Sequence, residues 1–198
     1  MILTYDTETT GFLNKKLPLD HEDQARIVQL GAVLDDADGK EIMRLDVIIR
    51  HPDLPQVVLD GWDGAAKFHG ITKAHSDRVG MTEVIALEAF LDMVAVADMI
   101  VGHNIKGFDN DMVRANVRRV LGRPTLDPFE GKSIFDTMPN GAALMRRPQG
   151  KVKLMTLHQH LTGEEFDGAH TAISDVLATR RCFYALQDIV AGRRPHAA

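Results

Sequence analysis

Three short stretches of this chain bring together the residue types that could do chemistry. They are Asp6-Thr7-Glu8-Thr9-Thr10-Gly11, Gly102-His103-Asn104 leading to Phe108-Asp109, and Ala169-His170 followed by Asp175. Magnesium and manganese prefer hard oxygen ligands, and two such ions roughly 3.5–4 Å apart can clamp the attacking and leaving oxygens of a displacement at phosphate. Asp6, Glu8, Asp109 and Asp175 are therefore the expected ligands of two divalent cations, Mg2+ or Mn2+. On a strand, the two carboxylates of an Asp-x-Glu share one face, so Asp6 and Glu8 can meet the same metal pair. Imidazole titrates near neutrality, which suits His170 to accept a proton from the attacking water. His170 and Asp175 would lie about 140° apart on a continuous helix, so His170 belongs on the turn before the helix that carries Asp175. Asp109 opens a helix whose positive end favours a carboxylate, with an N-cap as the plainer reading. Gly11 permits close backbone approach to a ligand.

The elements that must position these groups can be read from pattern. Residues 1–6, 26–35 and 41–50 are apolar or alternating runs bounded by Gly, Asp and Pro, as strands are, and Asp36–Lys40 with Asp38-Gly39 reads as a hairpin turn. Three strands in antiparallel succession are expected first. A Pro- and Gly-containing connection is expected over 52–82. Val84, Leu87, Leu91 and Val94 at helical spacing then predict a helix over 83–97. A short apolar strand at 98–102 delivers His103 and Asn104 to its end. Helices are expected near 108–121, 153–161 and 171–190, with a strand at Ile134-Phe135 and surface loops elsewhere in 123–152. Periodicity alone gives a mixed α/β chain.

Composition sets bounds. The 198 residues suit one domain, 1–198, and no apolar run reaches the ~18 residues of a membrane span. A cytoplasmic location is expected. The lone Cys182 excludes an intramolecular disulfide and reads as a buried structural residue. A formal charge of −5 is unusual for a protein that grips phosphates, but two divalent ions would bring it to −1. That balance fits a grip on a few nucleotides at a strand end. Arg114, Arg118, Arg119 and Arg123 could track phosphates, with a solvated face as the default. His158 and His160 point to different sides of a helix and make no zinc site, while Trp62 and the nine methionines read as packing.

The three motifs resemble the DEDDh branch of 3′-5′ exonucleases, which includes the proofreading epsilon subunit of bacterial DNA polymerase III, RNase T and oligoribonuclease. The resemblance covers nearly the whole chain. It implies a ribonuclease-H-like fold, a mixed central sheet with flanking helices. It also implies removal of nucleoside 5′-monophosphates from the 3′ end of single-stranded or frayed DNA, with DNA favoured over RNA. Exoribonuclease trimming, a non-catalytic nucleic-acid-binding module and an endonuclease are the alternatives. The family's Phe before Asp selects Asp109 over Asp111. The tyrosine branch would need Tyr where Thr171 stands, so the histidine branch matches. By analogy Thr9, Thr10, Gly11 and Phe12 lie beside the terminal nucleotide. Ile71, in a His-Gly-Ile segment, joins Phe12 and Phe108 as an apolar wedge. Asn104 shapes the adjoining loop on the substrate side, and Asp136 serves structure. The short segment after the last helix, Ala191 to Ala198, suggests a stand-alone enzyme; homodimerisation and polymerase association stay open.

Overall fold

A computed structural model describes residues 1–167 and 170–193; Ala169 of the third motif and the terminal residues 194–198 lie outside the described residues. Strand β1 (Ile2–Thr9) alternates its side chains between two environments. Leu3 and Tyr5 enter the main core with Phe90, Met112 and Val113. Each such buried large side chain contributes roughly 1.5–3 kcal/mol relative to exposure. Thr4, Asp6 and Glu8 take the opposite face.

Strand β2 (Ile27–Asp35) runs antiparallel to β1 and is buried throughout. It turns at Asp36–Lys40 into β3 (Glu41–Arg50). The Asp36 carboxylate closes that turn, accepting from the backbone N–H of Asp38 at 3.0 Å and of Lys40 at 2.9 Å. The expected antiparallel trio is therefore present.

The 52–82 connection is not a loop. It forms α1 (Gln56–His69) and α2 (Lys73–Val79), followed by the two-residue strand β4 (Met81–Thr82). Gly61 and Gly64 lower the helix propensity of α1 and hide its pattern. Trp62 nonetheless buries against Val28 and Ile71 and donates its indole N–H to the Ile71 carbonyl at 2.8 Å. Helix α3 (Glu83–Val96), strand β5 (Met99–Gly102) and helix α4 (Asp109–Val120) fall close to their expected bounds. So do strand β6 (Ser133–Asp136), α6 (Leu154–Thr162) and α7 (Ala172–Val190).

Within the expected loop region 123–152 the chain instead makes one further helix, α5 (Thr137–Leu144). Its Pro139 sits in the first turn, where a missing N–H costs nothing, and the Asp136 side chain caps it through the Met138 N–H.

The sheet order is β4-β3-β2-β1-β5-β6, with β5 and β6 parallel to β1 and its neighbour. This is the mixed, helix-flanked sheet of a ribonuclease-H-like fold. Cys182 is a free, buried thiol in the cluster that joins α5, α6 and α7, and burial pushes it up to about 12. No helix among the described residues is long and apolar enough to cross a membrane.

Candidate metal centre and its surroundings

Asp6, Glu8 and Asp175 each offer a carboxylate oxygen, and these atoms all lie within 4.8 Å of one another. Two of the three share a face of β1 because of the pleat. The third arrives on the first turn of α7, and a gap in β2 lets it approach. Gly31 pairs with Asp6 across the ladder, and a Cβ on Gly31 would sit 2.7 Å from the Ala172 carbonyl carbon. Only glycine lets the start of α7 lie this close to the sheet. Gln29, opposite Glu8, seats the same turn by accepting from the Ala172 N–H at 3.2 Å.

Sequence reasoning missed both Gly31 and Gln29. A glycine inside an otherwise apolar strand was the available signal.

Asp109 stands behind this trio and is not one of the three. It is 3% exposed, and its Oδ1 accepts from the Thr7 N–H at 3.1 Å and the Thr7 hydroxyl at 2.7 Å. It is the first residue of α4, after Phe108. Asp111, by contrast, is turned to Arg114 at 3.0 Å.

His170 lies before α7, as its spacing to Asp175 requires. It has a left-handed backbone (φ 72°) and an exposed side chain, and its N–H donates to Asp175 Oδ2 at 3.3 Å.

The electrostatics point one way. Burial raises Asp6 well above the usual carboxylate range, and the charges of Asp109, Asp175 and Glu8 add to it. Burial, then Asp175 and Asp109, push Glu8 to about 7. Asp109 also reaches about 7 through burial, against the opposing hydrogen bonds from Thr7. Asp175 is raised by burial as well. Among the described residues no Lys or Arg forms an ion pair with any of the four. Four crowded carboxylates without a protein cation, all oxygen donors, fit hard divalent ions.

The other expected substrate contacts divide. Phe12 is 86% exposed and meets Phe108 edge to face at 5.6 Å between ring centroids, forming an aromatic pair open to a ligand. Ile71 is only 7% exposed and belongs to the Trp62 cluster. Thr9 and Thr10 are buried, and their hydroxyls are engaged by backbone groups, Thr9 within the loop and Thr10 with the segment leading into β2. Thr9 Oγ1 donates to the Gly11 carbonyl at 2.9 Å, and Thr10 Oγ1 accepts from the Arg26 N–H at 2.9 Å.

Gly11 keeps a backbone that favours glycine (φ 142°), and Asn104, exposed at φ 63°, anchors through its N–H to Asp136 at 2.9 Å.

Helix α1 braces the loop. A Cβ on Gly61 would meet the Thr10 carbonyl at 2.7 Å. His69 Nδ1 accepts from the Ile71 N–H at 3.0 Å, leaving Nε2–H to donate to the Thr9 carbonyl at 3.2 Å.

Of the arginines expected either to face solvent or to track phosphates, Arg123 is exposed, while the other three are held by protein groups. Arg114 is held by Asp111 and Asp127, each at 3.0 Å, and Arg118 donates to the Leu126 carbonyl at 3.2 Å. Arg119 is paired with Glu83 at 3.3 Å. His158 is fully buried, with Nδ1 on the Glu164 carbonyl at 3.0 Å, and serves packing.

Residues 3–183 match the family model described as the RNase T exonuclease family. No curated protein matches the chain significantly. Among solved structures, E. coli exonuclease I in complex with a dA16 oligonucleotide superimposes with a TM-score of 0.70 at 23% identity, covering 97% of this chain and 41% of that one. The zinc-bound E. coli exonuclease I complex with single-stranded DNA gives the same values, 0.70, 23%, 97% and 41%. A moderately thermophilic exonuclease I from Methylocaldum szegediense gives 0.68 at 21% identity, covering 98% and 43%. The chain thus spans about two fifths of the length of these structures. With the family matched over almost its full length and the same fold beneath it, this chain belongs to the RNase T family of exonucleases, in the DEDDh-type group that its motifs resemble.

Proposed function

We propose that the chain removes nucleoside 5′-monophosphates from the 3′ end of single-stranded DNA. The observation that carries this reading is the trio Asp6, Glu8 and Asp175, within 4.8 Å of one another and, among the described residues, without a Lys or Arg ion pair. An exposed Phe12–Phe108 pair adds an aromatic platform of the kind on which bases stack. Two divalent ions, Mg2+ or Mn2+, held by Asp6, Glu8 and Asp175 with Asp109 behind them, would acidify the attacking water and neutralise charge on the phosphate.

The chain's own side chains do the rest. His170, exposed at the edge of the centre, accepts the proton of that water. Asp175 accepts the backbone N–H of His170 and so ties the base to the carboxylates. Thr7 holds Asp109 in place. Phe12 and Phe108 orient the terminal nucleotide, while the Thr9–Gly11 backbone, braced by His69 and Gly61, shapes its seat. DNA is favoured because the fold matches exonuclease I complexes with DNA oligonucleotides.

The test is a time course on matched 5′-labelled DNA and RNA strands with magnesium, manganese or EDTA. A metal-dependent ladder shortening from the 3′ end, faster on DNA, is expected. His170→Gln should lower kcat by about 10²–10⁴-fold with little change in KM. A folded chain that shortens neither strand in either metal would overturn the reading.

A further inference from the structure

A second concentration of charge lies on the α3–α4 side of the sheet, away from the metal centre. There a cavity of about 330 Å3 opens where the start of β2, the end of β3 and the start of α3 meet the last turn of α4. Its lining carries three arginines, Arg26, Arg50 and Arg119, against two carboxylates, Asp53 and Glu83. Helices α3 and α4 pack on the Leu3–Tyr5 face of β1, whereas Asp6 and Glu8 take the other face, toward Asp175 on α7. None of the lining residues belongs to the carboxylate trio or to the Phe12–Phe108 pair.

The arginines carry more positive charge than their partners offset. Glu83 turns one oxygen to His51 Nδ1 and the other to Arg119 Nη2, each at 3.3 Å. Asp53 is exposed at the rim. Arg119 Nη1 is left buried with no hydrogen-bond partner. A buried charged donor without an acceptor is costly, so an orphan of this kind points to a group supplied from outside. Arg26 is 5% exposed, and its guanidinium donates to the carbonyls of Gln24 and Glu22, acceptors that bring no counter-charge. Burial, and then the charge of Arg119, pull Arg26 down to about 10, with Glu83 opposing. Arg50 is exposed and donates to the Thr82 hydroxyl at 3.2 Å, again a neutral partner. That hydroxyl makes no cap bond to α3, so the first-turn N–H groups of the helix add positive potential to the same cavity.

We propose that this cavity binds a phosphate group, presented as inorganic phosphate or as the phosphomonoester of a small molecule, with Arg119 and Arg26 on its oxygens and Arg50 at the rim. Guanidinium donors match the oxygens of phosphate, and a doubly charged anion both satisfies the orphaned Nη1 and separates two cations that repel. The volume is at the low end of the roughly 300–1,000 Å3 range of ligand pockets, which suits a small anion rather than a nucleic-acid strand. The site goes beyond the exonuclease reading and does not depend on it. It does adjoin the loop that follows Glu8: the Thr10 N–H donates to the Arg26 carbonyl at 2.8 Å, and the Arg26 N–H donates to Thr10 Oγ1 at 2.9 Å.

The test is titration calorimetry of inorganic phosphate into the full chain in EDTA at constant ionic strength, beside the same titration with thymidine 5′-monophosphate. Without metal the four carboxylates of the other site repel phosphate, so binding reports on the arginines. One phosphate per chain is expected, with a Kd on the order of 1 mM or tighter. Arg119→Gln should weaken it at least about tenfold, through loss of a charge-assisted hydrogen bond. Arg50→Gln, at an exposed position outside the buried network, should weaken it about threefold. The parent Tm should rise with phosphate and not with chloride at matched ionic strength, and the rise should shrink in Arg119→Gln.

Binding of the inorganic anion alone supports the proposal with a free oxyanion as occupant. Tighter binding of the monophosphate, weakened by the same variants, supports it with a phosphomonoester. Absence of binding and of a Tm shift overturns it, as does a Kd that both variants leave unchanged. Should Arg119→Gln fail to fold, the Arg50→Gln titration decides, and an unchanged Kd there overturns the proposal. With neither metal nor strand present, each outcome holds whether or not the chain shortens DNA.

Discussion

The two ends of the β1–β2 ladder both bury carboxylates, and they treat them in opposite ways. At one end Asp35, paired with Ile2, is 0% exposed and accepts from Arg180 Nε and from the Tyr184 hydroxyl, each at 2.7 Å. At the other end Asp6 pairs with Gly31, and Asp6, Glu8 and Asp175 crowd together with no Lys or Arg ion pair among the described residues. A buried carboxylate is tolerated when a cation accompanies it. The first end brings its own cation. On the function proposed above the second takes one from solution, and its geometry is held against its own repulsion by the packing of α7 and by Thr7 on Asp109.

Removing one carboxylate from each end should therefore move stability in opposite directions. Asp6→Asn should lower kcat at least about a thousandfold, because charge at the reacting phosphate is no longer neutralised. The metal-free Tm of the same variant should rise at pH 8, since one of the repelling groups is gone. Asp35→Asn should leave kcat near that of the parent and lower the Tm, by roughly 2–4 °C for each kcal/mol lost in a chain of this size. Steady-state kinetics beside calorimetry reads both. A metal-free Tm that falls in Asp6→Asn would break the comparison.

A smaller effect is expected where the second end is assembled. Gly31→Ala places a Cβ where the Ala172 backbone lies, 2.7 Å from its carbonyl carbon, and must push the start of α7 off the sheet. Overpacking of this kind costs about 1–3 kcal/mol. Because Asp175 rides on that turn, Mn2+ affinity and kcat should fall together, by about 10–100-fold, as changes to the groups that orient metal ligands commonly produce. Titration calorimetry with Mn2+ decides. A loss of stability with metal affinity intact would mean that the close approach serves packing only.

The smallest effect is a dependence on pH. Glu8 and Asp109 are raised to about 7, and Asp6 and Asp175 are raised as well. Between the unfolded carboxylate range near 4 and the folded values, the native state therefore holds more protons than the unfolded chain. Stability from these groups is full below about pH 4 and is lost as pH rises through about 7. The metal-free Tm should drop by several degrees between pH 5 and pH 8, and saturating Mg2+ should restore most of that drop at pH 8 and little of it at pH 5. A flat metal-free profile would show that the carboxylates do not strain one another.

Much of this was legible in the chain itself. The pleat's period of two places Asp6 and Glu8 on one face whatever surrounds them, and the five-residue step from His170 to Asp175 demands a break before α7, which the structure supplies at His170. Strong apolar runs revealed β1, β2, β3 and β5. Helices α1 and α5 were hidden because Gly61, Gly64 and Pro139 contradict local helix propensity, while tertiary contacts override it: Trp62 buries against β2, and the Asp136 side chain caps α5.

Residue type and spacing thus determined which groups could bind metal and move a proton, since those depend on chemistry and on periods of two and 3.6. Tertiary structure alone decided that Gly31 admits α7 to the centre, that the Thr10 hydroxyl is taken by the Arg26 N–H, and that Arg114 and Arg118 are already partnered. Those outcomes depend on which distant atoms come within a few ångströms, a property of packing that no local pattern encodes.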